Sequence, residues 1–271
     1  MKVVGNFFRG IFGIGRLSLA LTWVILQLPV QILLTGWSQR LGVWHLRVTT
    51  LGLAKLLGVH LKVLGELTKD RPLLIVANHI SVFEIIVFPA AFGTGFFGKA
   101  DIRKWFFVGW LAKSYGNLFI DRNPGKAVEA IELLTNQMRA AKSPFTIFPE
   151  GTTSNGDHVL PFKSSMFEFL KEAPDVKIQP IVMLYRDGRG NKIPPQKLAD
   201  TFASFVNERQ LQPPYAARDL SVLRLVWNIL MNGGLTIELT ILPVFETAGL
   251  DRKEIARQLH ELVAGKFNEL N

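Results

Sequence analysis

Apolar and polar positions divide the chain into two regimes. Residues 17–36, LSLALTWVILQLPVQILLTG, carry no charge, and about 20 apolar residues suffice to cross the hydrocarbon core of a bilayer. Gln27 and Gln31 lie inside this run, Pro29 interrupts it, and an amphipathic piece, LRVTTLGLAKLLG (46–58), follows. The pattern predicts a kinked helix that dips into one leaflet, then an interfacial helix. A full span and a buried helix of a soluble core are the alternatives. The run is too long for a removed signal peptide, and no small-residue cleavage site follows it cleanly.

After residue 58 short apolar runs alternate with longer mixed stretches. Strands are predicted at 59–67, 72–78, 93–100, 116–121, 144–149, 176–185 and 235–245, and helices at 81–92, 101–115, 124–141, 163–172 and 250–270. Runs such as PLLIVAN and PFTIFP are apolar throughout, as strands covered on both faces are. The expected fold is α/β: a mixed, largely parallel sheet flanked by helices, preceded by an N-terminal membrane-associating helical segment. Residues 1–58 are expected to form the anchoring helices and 59–271 the α/β domain. The stretch 186–219, with Gly188, Gly190, Pro194, Pro195, Pro213 and Pro214, reads as an inserted loop.

Charge sharpens the N-terminal reading. The net charge is +9, and seven basic residues (Lys2, Arg9, Arg16, Arg40, Arg47, Lys55, Lys62) precede the first acid, Glu66. Because they border the apolar run, they point to an anionic membrane surface, not to a nucleic acid. Basic residues on both flanks leave the orientation of a span unsettled. The helix at 101–115 mixes Arg103, Lys104 and Lys113 with Trp105, Phe106, Phe107 and Trp110. It reads as a membrane-facing or acyl-channel element, or as an ordinary helix covering the sheet. The chain has no cysteine, which removes disulfides, thiolate metal sites and a cysteine nucleophile. The five histidines are scattered, and no metal-ligand cluster is visible.

Candidate chemistry gathers where apolar strands end, as sites of open α/β sheets do. His79 follows PLLIVAN, and Glu84 comes five residues later. Glu84 has two competing readings. Ser81-Val82-Phe83-Glu84 matches a capping box. Alternatively, the carboxylate orients the His79 ring, leaving its other nitrogen as a base. A single carboxylate is not expected to do both in full. After PFTIFP come Glu150, Gly151, Thr152, Thr153 and Ser154, a segment that suits an anion or is simply a polar turn. Asp121 and Arg122 end GNLFIDR, where the arginine either grips a phosphate or pairs at the surface.

In this order NHISVFE, GNLFIDR, FPEGTTS and IQPIVMLY, with Pro180, resemble the four blocks of the glycerolipid acyltransferase family, which includes the 1-acyl-sn-glycerol-3-phosphate acyltransferases. The likeness spans roughly residues 55–245. It implies that His79 is the general base and Glu84 its orienting carboxylate. It also implies that Arg122 binds phosphate and that Glu150 and Gly151, with Thr152 and Thr153, bind the acceptor. Lys99 is similar to a family lysine near the reaction centre. The donor implied is acyl-CoA or acyl carrier protein, with no further cofactor and no metal. The acceptor is a lyso-lipid drawn from the bilayer, and the location is the cytoplasmic face of the membrane.

The chain departs from the family pattern twice. The usual aspartate is Glu84, and EGTRS becomes EGTTS, with Thr153 in the place of an arginine. The expected activity is acylation of 1-acyl-sn-glycerol-3-phosphate to phosphatidic acid. The missing arginine admits lyso-ornithine lipid or a larger-headgroup lysophospholipid as the acceptor. A membrane-bound hydrolase and a non-catalytic lipid binder are rivals.

Overall fold

A computed structural model of the 271-residue chain describes residues 2–99, 118–120, 127–141, 143–202 and 222–271. The helix expected at 101–115 lies outside them. All seven expected strands form: β1 (Val59–Leu64), β2 (Leu73–Ala77), β3 (Gly95–Lys99), β4 (Leu118–Ile120), β5 (Phe145–Ile147), β6 (Lys177–Asp187) and β7 (Leu235–Ile241). They make one sheet in the order β1-β7-β6-β2-β5-β3-β4. Only the β6–β7 pair is antiparallel, so the sheet is mixed and largely parallel.

The apolar runs explain the layering. Every residue of β2 is buried, and period-2 alternation sends its side chains to opposite faces. Ile75 and Ala77 join one core with Ile181, Met183, Ile237 and Leu239. Leu74 and Val76 join the other with Val182, Leu184, Leu259 and Phe267. Helices α3 (Glu84–Phe92) and α6 (Val222–Met231) pack on the first face. The second face receives α7 (Arg252–Leu270) and the segment Ser164–Lys171. That segment, expected as a helix at 163–172, is a 3₁₀ helix. Helix α4 (Ala127–Ala140) places Met138 in the same core. Asp251 caps α7 by accepting the N–H groups of Lys253 (2.8 Å) and Glu254 (2.9 Å).

Two elements differ from expectation in the stretch read as a loop. Strand β6 continues to Asp187, and a short helix α5 covers Pro195–Thr201. Proline at the first helical position is compatible with helix, because its missing N–H would have had no partner there. Residues 203–221 lie outside the description.

The N-terminus is a helical hairpin. Helix α1 (Lys2–Trp37) runs through Pro29 without a break, and α2 (Gln39–Leu57) begins well before the amphipathic piece at 46–58. The polar residues that argued against a span have a structural use. Gln31 donates to Gly42 O (3.1 Å) and Thr35 Oγ1 (2.8 Å), and its oxygen meets His45 Nδ1 at 2.6 Å. Gln27 Oε1 lies 2.9 Å from His45 Nε2. Arg16, counted above as a basic flank, donates to the carbonyls of Leu56 (2.7 Å) and Lys55 (2.8 Å) and so closes the end of α2. The stretch Arg9–Trp37 is the one helix among the described residues long and apolar enough to cross a membrane. Phe12, Leu19, Ile25, Leu33 and Trp37 are exposed on it. The hairpin is also docked: Ala20, Ala54 and Leu57 are buried in the first core.

Close approach of the two helices depends on Gly52. A Cβ there would lie 2.7 Å from the Trp23 indole, whose N–H bonds Thr49 O at 3.0 Å. Gly52→Ala is expected to destabilise the protein by about 1–3 kcal/mol, the usual cost of overpacking. Thermal unfolding of the detergent-solubilised chain reads this.

Candidate active site

Strands β2 and β5 are parallel neighbours, so the residues leaving their carboxyl ends meet. Asn78 anchors the exit of β2. Its side chain donates to Met183 O (3.0 Å) and accepts the Met183 N–H (2.8 Å), replacing ladder bonds with β6. His79 then turns out of the sheet. Its N–H donates to Glu150 Oε1 (2.7 Å), and its carbonyl accepts the Ser154 N–H (2.7 Å). Its ring stacks on Phe148 with centroids 4.3 Å apart and planes 11° from parallel.

Nδ1 of His79 makes a short contact with Oε2 of Glu84. Glu84 is fully buried, and the His79 side chain keeps 19% exposure. The other Glu84 oxygen, Oε1, accepts the Ser81 N–H (2.7 Å) and the Tyr185 hydroxyl (2.7 Å). The capping and orienting readings therefore do not compete as the sequence implied. A carboxylate has two oxygens and about four acceptor sites, so one oxygen serves the backbone and the other the ring. An acceptor-only carboxylate assigns the ring proton to Nδ1, leaving the Nε2 lone pair free. Nε2 has no protein partner among the described residues. Such a ring can take a proton from a hydroxyl brought to it.

Tyr185 has no local signal in the sequence, because it reaches Glu84 across 101 positions. Burial and the adjacent Glu84 charge hold its phenol well above the ordinary range, which keeps it a donor. Tyr185→Phe leaves Glu84 with one fewer bond. The rate is expected to fall roughly tenfold with KM unchanged, and stability by about 1–3 kcal/mol, the cost of losing a bond to a charged group. Steady-state kinetics and thermal unfolding measure both.

Glu150, for which the family resemblance implies acceptor binding, makes two backbone bonds. It is buried, with Oε1 on the His79 N–H and Oε2 on the Leu160 N–H (3.1 Å). Burial pushes its carboxyl up, the two N–H bonds pull it back, and the Glu84 charge adds a further push up. The Oε1 bond ties Glu150 to the loop that carries His79. Gly151 follows with φ +69°, a conformation that favours glycine. Thr152 is half-buried and Thr153 buried. Lys99 ends β3, in register with Ile120 of β4, and its side chain lies outside the description. So does Arg122, two positions past β4. Among the described residues no group of three or more His, Cys, Asp or Glu is suited to a metal ion.

A histidine with one nitrogen fixed by a buried carboxylate and the other open, where parallel strands end, is the constellation of a general-base enzyme. The Acyltransferase family model matches residues 59–184, which contain His79, Glu84 and Glu150. The chain is 30% identical to the lyso-ornithine lipid O-acyltransferase of Brucella abortus over 91% of its length and 88% of that protein's. It is 32% identical to the lyso-ornithine lipid O-acyltransferase of Pseudomonas aeruginosa, covering 93% and 89%. The solved structure of the 1-acyl-sn-glycerophosphate acyltransferase PlsC from Thermotoga maritima shares the fold. Its TM-score is 0.65 and its identity 18%, over 100% of this chain and 98% of that one. The protein belongs to the glycerolipid acyltransferase family.

Proposed function

We propose that this enzyme moves an acyl group from a thioester of coenzyme A or acyl carrier protein to the free hydroxyl of a lyso-ornithine lipid. His79 Nε2 takes the hydroxyl proton while Glu84 steadies the imidazolium that forms. The oxygen attacks the thioester carbonyl, the carbon–sulfur bond breaks, and the departing thiolate takes the proton from Nε2. Transfer is direct: the chain has no cysteine and no G-x-S-x-G serine to carry an acyl intermediate. Lys99 or backbone N–H groups receive the oxyanion charge. Residues 1–58 anchor the enzyme at the cytoplasmic membrane face, where the acceptor stays half in the bilayer.

The observation that carries the acceptor assignment is Thr153. It stands where the family's third block often carries an arginine, and the residue is only 4% exposed. A buried threonine supplies no cation to a phosphate. The two relatives above, similar over nearly their whole length, support the same acceptor. Lysophosphatidic acid is the second reading, favoured by Arg122, which keeps its place in the family's second block, and by Lys99, which is similar to a family lysine near the reaction centre.

The test is a competition. Equal amounts of lyso-ornithine lipid and lysophosphatidic acid are presented with one labelled thioester. The ornithine acceptor is expected to give the larger kcat/KM. A larger value for lysophosphatidic acid overturns the headgroup assignment and leaves the chemistry standing.

A further inference from the structure

The family's third block lacks its arginine here, yet a cation lies against the same block. Lys163 donates its backbone N–H to Pro149 O at 2.8 Å, which lays residue 163 alongside 149–151. Its side chain then crosses the α-carbon of Gly151. A Cβ on Gly151 would meet Lys163 Nζ at 2.6 Å, Cδ at 3.0 Å and Cε at 3.1 Å. The bare glycine is what leaves room for the lysine stem. Residue 150, between these two contacts, is bonded to the His79 N–H. The ammonium therefore sits on the segment after β5 that is bonded to the loop carrying the reactive ring.

This lysine is not spent on structure. Lys62 pairs with Glu238, Lys171 with Glu168 and Lys266 with Glu269. Lys163 is exposed and has no carboxylate or hydrogen-bond partner for Nζ among the described residues. Glu150 beneath it is turned away onto two backbone amides. An ammonium on a flexible stem is a point charge that accepts anions of different shape, unlike the planar fork of an arginine.

We infer that Lys163, laid over Gly151 beside the His79 loop, is the cation that receives the anionic headgroup of the acceptor and takes over the charge absent at position 153. The inference rests on the acyl-transfer reading above. The group received is a carboxylate on an ornithine headgroup or a phosphate on lysophosphatidic acid. Both present anionic oxygens, and a shift from one to the other needs no change in the lysine.

The experiment uses the full chain in detergent–lipid micelles with one acyl thioester. The acceptors are lyso-ornithine lipid, lysophosphatidic acid and an uncharged monoacylglycerol. Lys163→Met is expected to raise KM about tenfold for the acceptor whose headgroup Lys163 holds, the scale of losing one charge-assisted hydrogen bond. KM for the thioester and for the monoacylglycerol stays fixed, and Lys163→Arg restores most of the loss. A rise confined to lyso-ornithine lipid names the carboxylate, and one confined to lysophosphatidic acid names the phosphate. Lys171→Met, at the far end of the 3₁₀ helix that Lys163 precedes and already paired with Glu168, is the control and leaves every KM unchanged. An unchanged KM for both charged acceptors in an active Lys163→Met enzyme overturns the assignment of Lys163 alone. A KM rise for the thioester in place of the acceptor does the same. Failure of the unaltered enzyme to acylate any acceptor overturns both this inference and the functional reading.

Discussion

His79→Ala is expected to lower kcat for acyl transfer about 10³-fold, within the range by which a positioned general base accelerates proton transfer. The reason is geometric. Nε2 is the open nitrogen of a ring whose other nitrogen faces a buried carboxylate, and whose face rests on Phe148. No other imidazole among the described residues shares this loop: His45 is spent on Gln27 and Gln31, His60 lies in β1, His158 pairs with Asp157, and His260 packs against Phe162. The substitution leaves the fold intact, because Glu84 keeps its bonds from Ser81 and Tyr185. Thermal unfolding should therefore shift little while the rate collapses. A fall in rate of less than about tenfold removes the histidine from the proton-transfer step.

Glu84→Ala is expected to damage both stability and rate. Two buried donors, the Ser81 N–H and the Tyr185 hydroxyl, and the half-buried His79 Nδ1–H each lose an acceptor. Each buried donor left without a partner costs about 1–3 kcal/mol, so a loss of roughly 3 kcal/mol or more is expected. The rate should fall about 10²-fold or more as the ring loses its tautomer and its aim. Glu84→Asp separates the two effects. Aspartate keeps the charge but is one methylene shorter, too short to serve the Ser81 amide and the ring together. It should recover part of the rate and little of the stability. Denaturant unfolding with steady-state kinetics on both variants resolves this. Equal losses in Glu84→Ala and Glu84→Asp would contradict the division of labour between the two oxygens.

Strands such as β2 were legible as apolar runs bounded by polar residues, because burial on both faces makes that pattern continuous, whereas β7 was legible by alternation of apolar and polar positions. His79 and Glu84 were legible because five residues of chain join them across a strand end. Other features depend on distant contacts. Tyr185 sits in a strand that reads as ordinary core, and only the fold brings its hydroxyl to Glu84. Nothing local to Glu150 shows that its two oxygens meet the amides of residues 79 and 160. Gln31 read as a blemish in an apolar run, whereas its partners, His45 and Gly42, lie on the next helix. Helix α6 was missed because it follows a stretch marked by proline and glycine. Its apolar positions, such as Leu225 and Ile229, have meaning only against the core they enter.

The most direct measurement follows the fate of a labelled acyl group. The full chain in vesicles is given labelled acyl thioester and lyso-ornithine lipid, and the products are separated. Diacyl lipid carrying the label, formed by the unaltered enzyme and lost with His79→Ala, is the predicted result. Release of free fatty acid alone, or diacyl product undiminished by His79→Ala, would contradict direct transfer from the thioester to a hydroxyl activated by that ring.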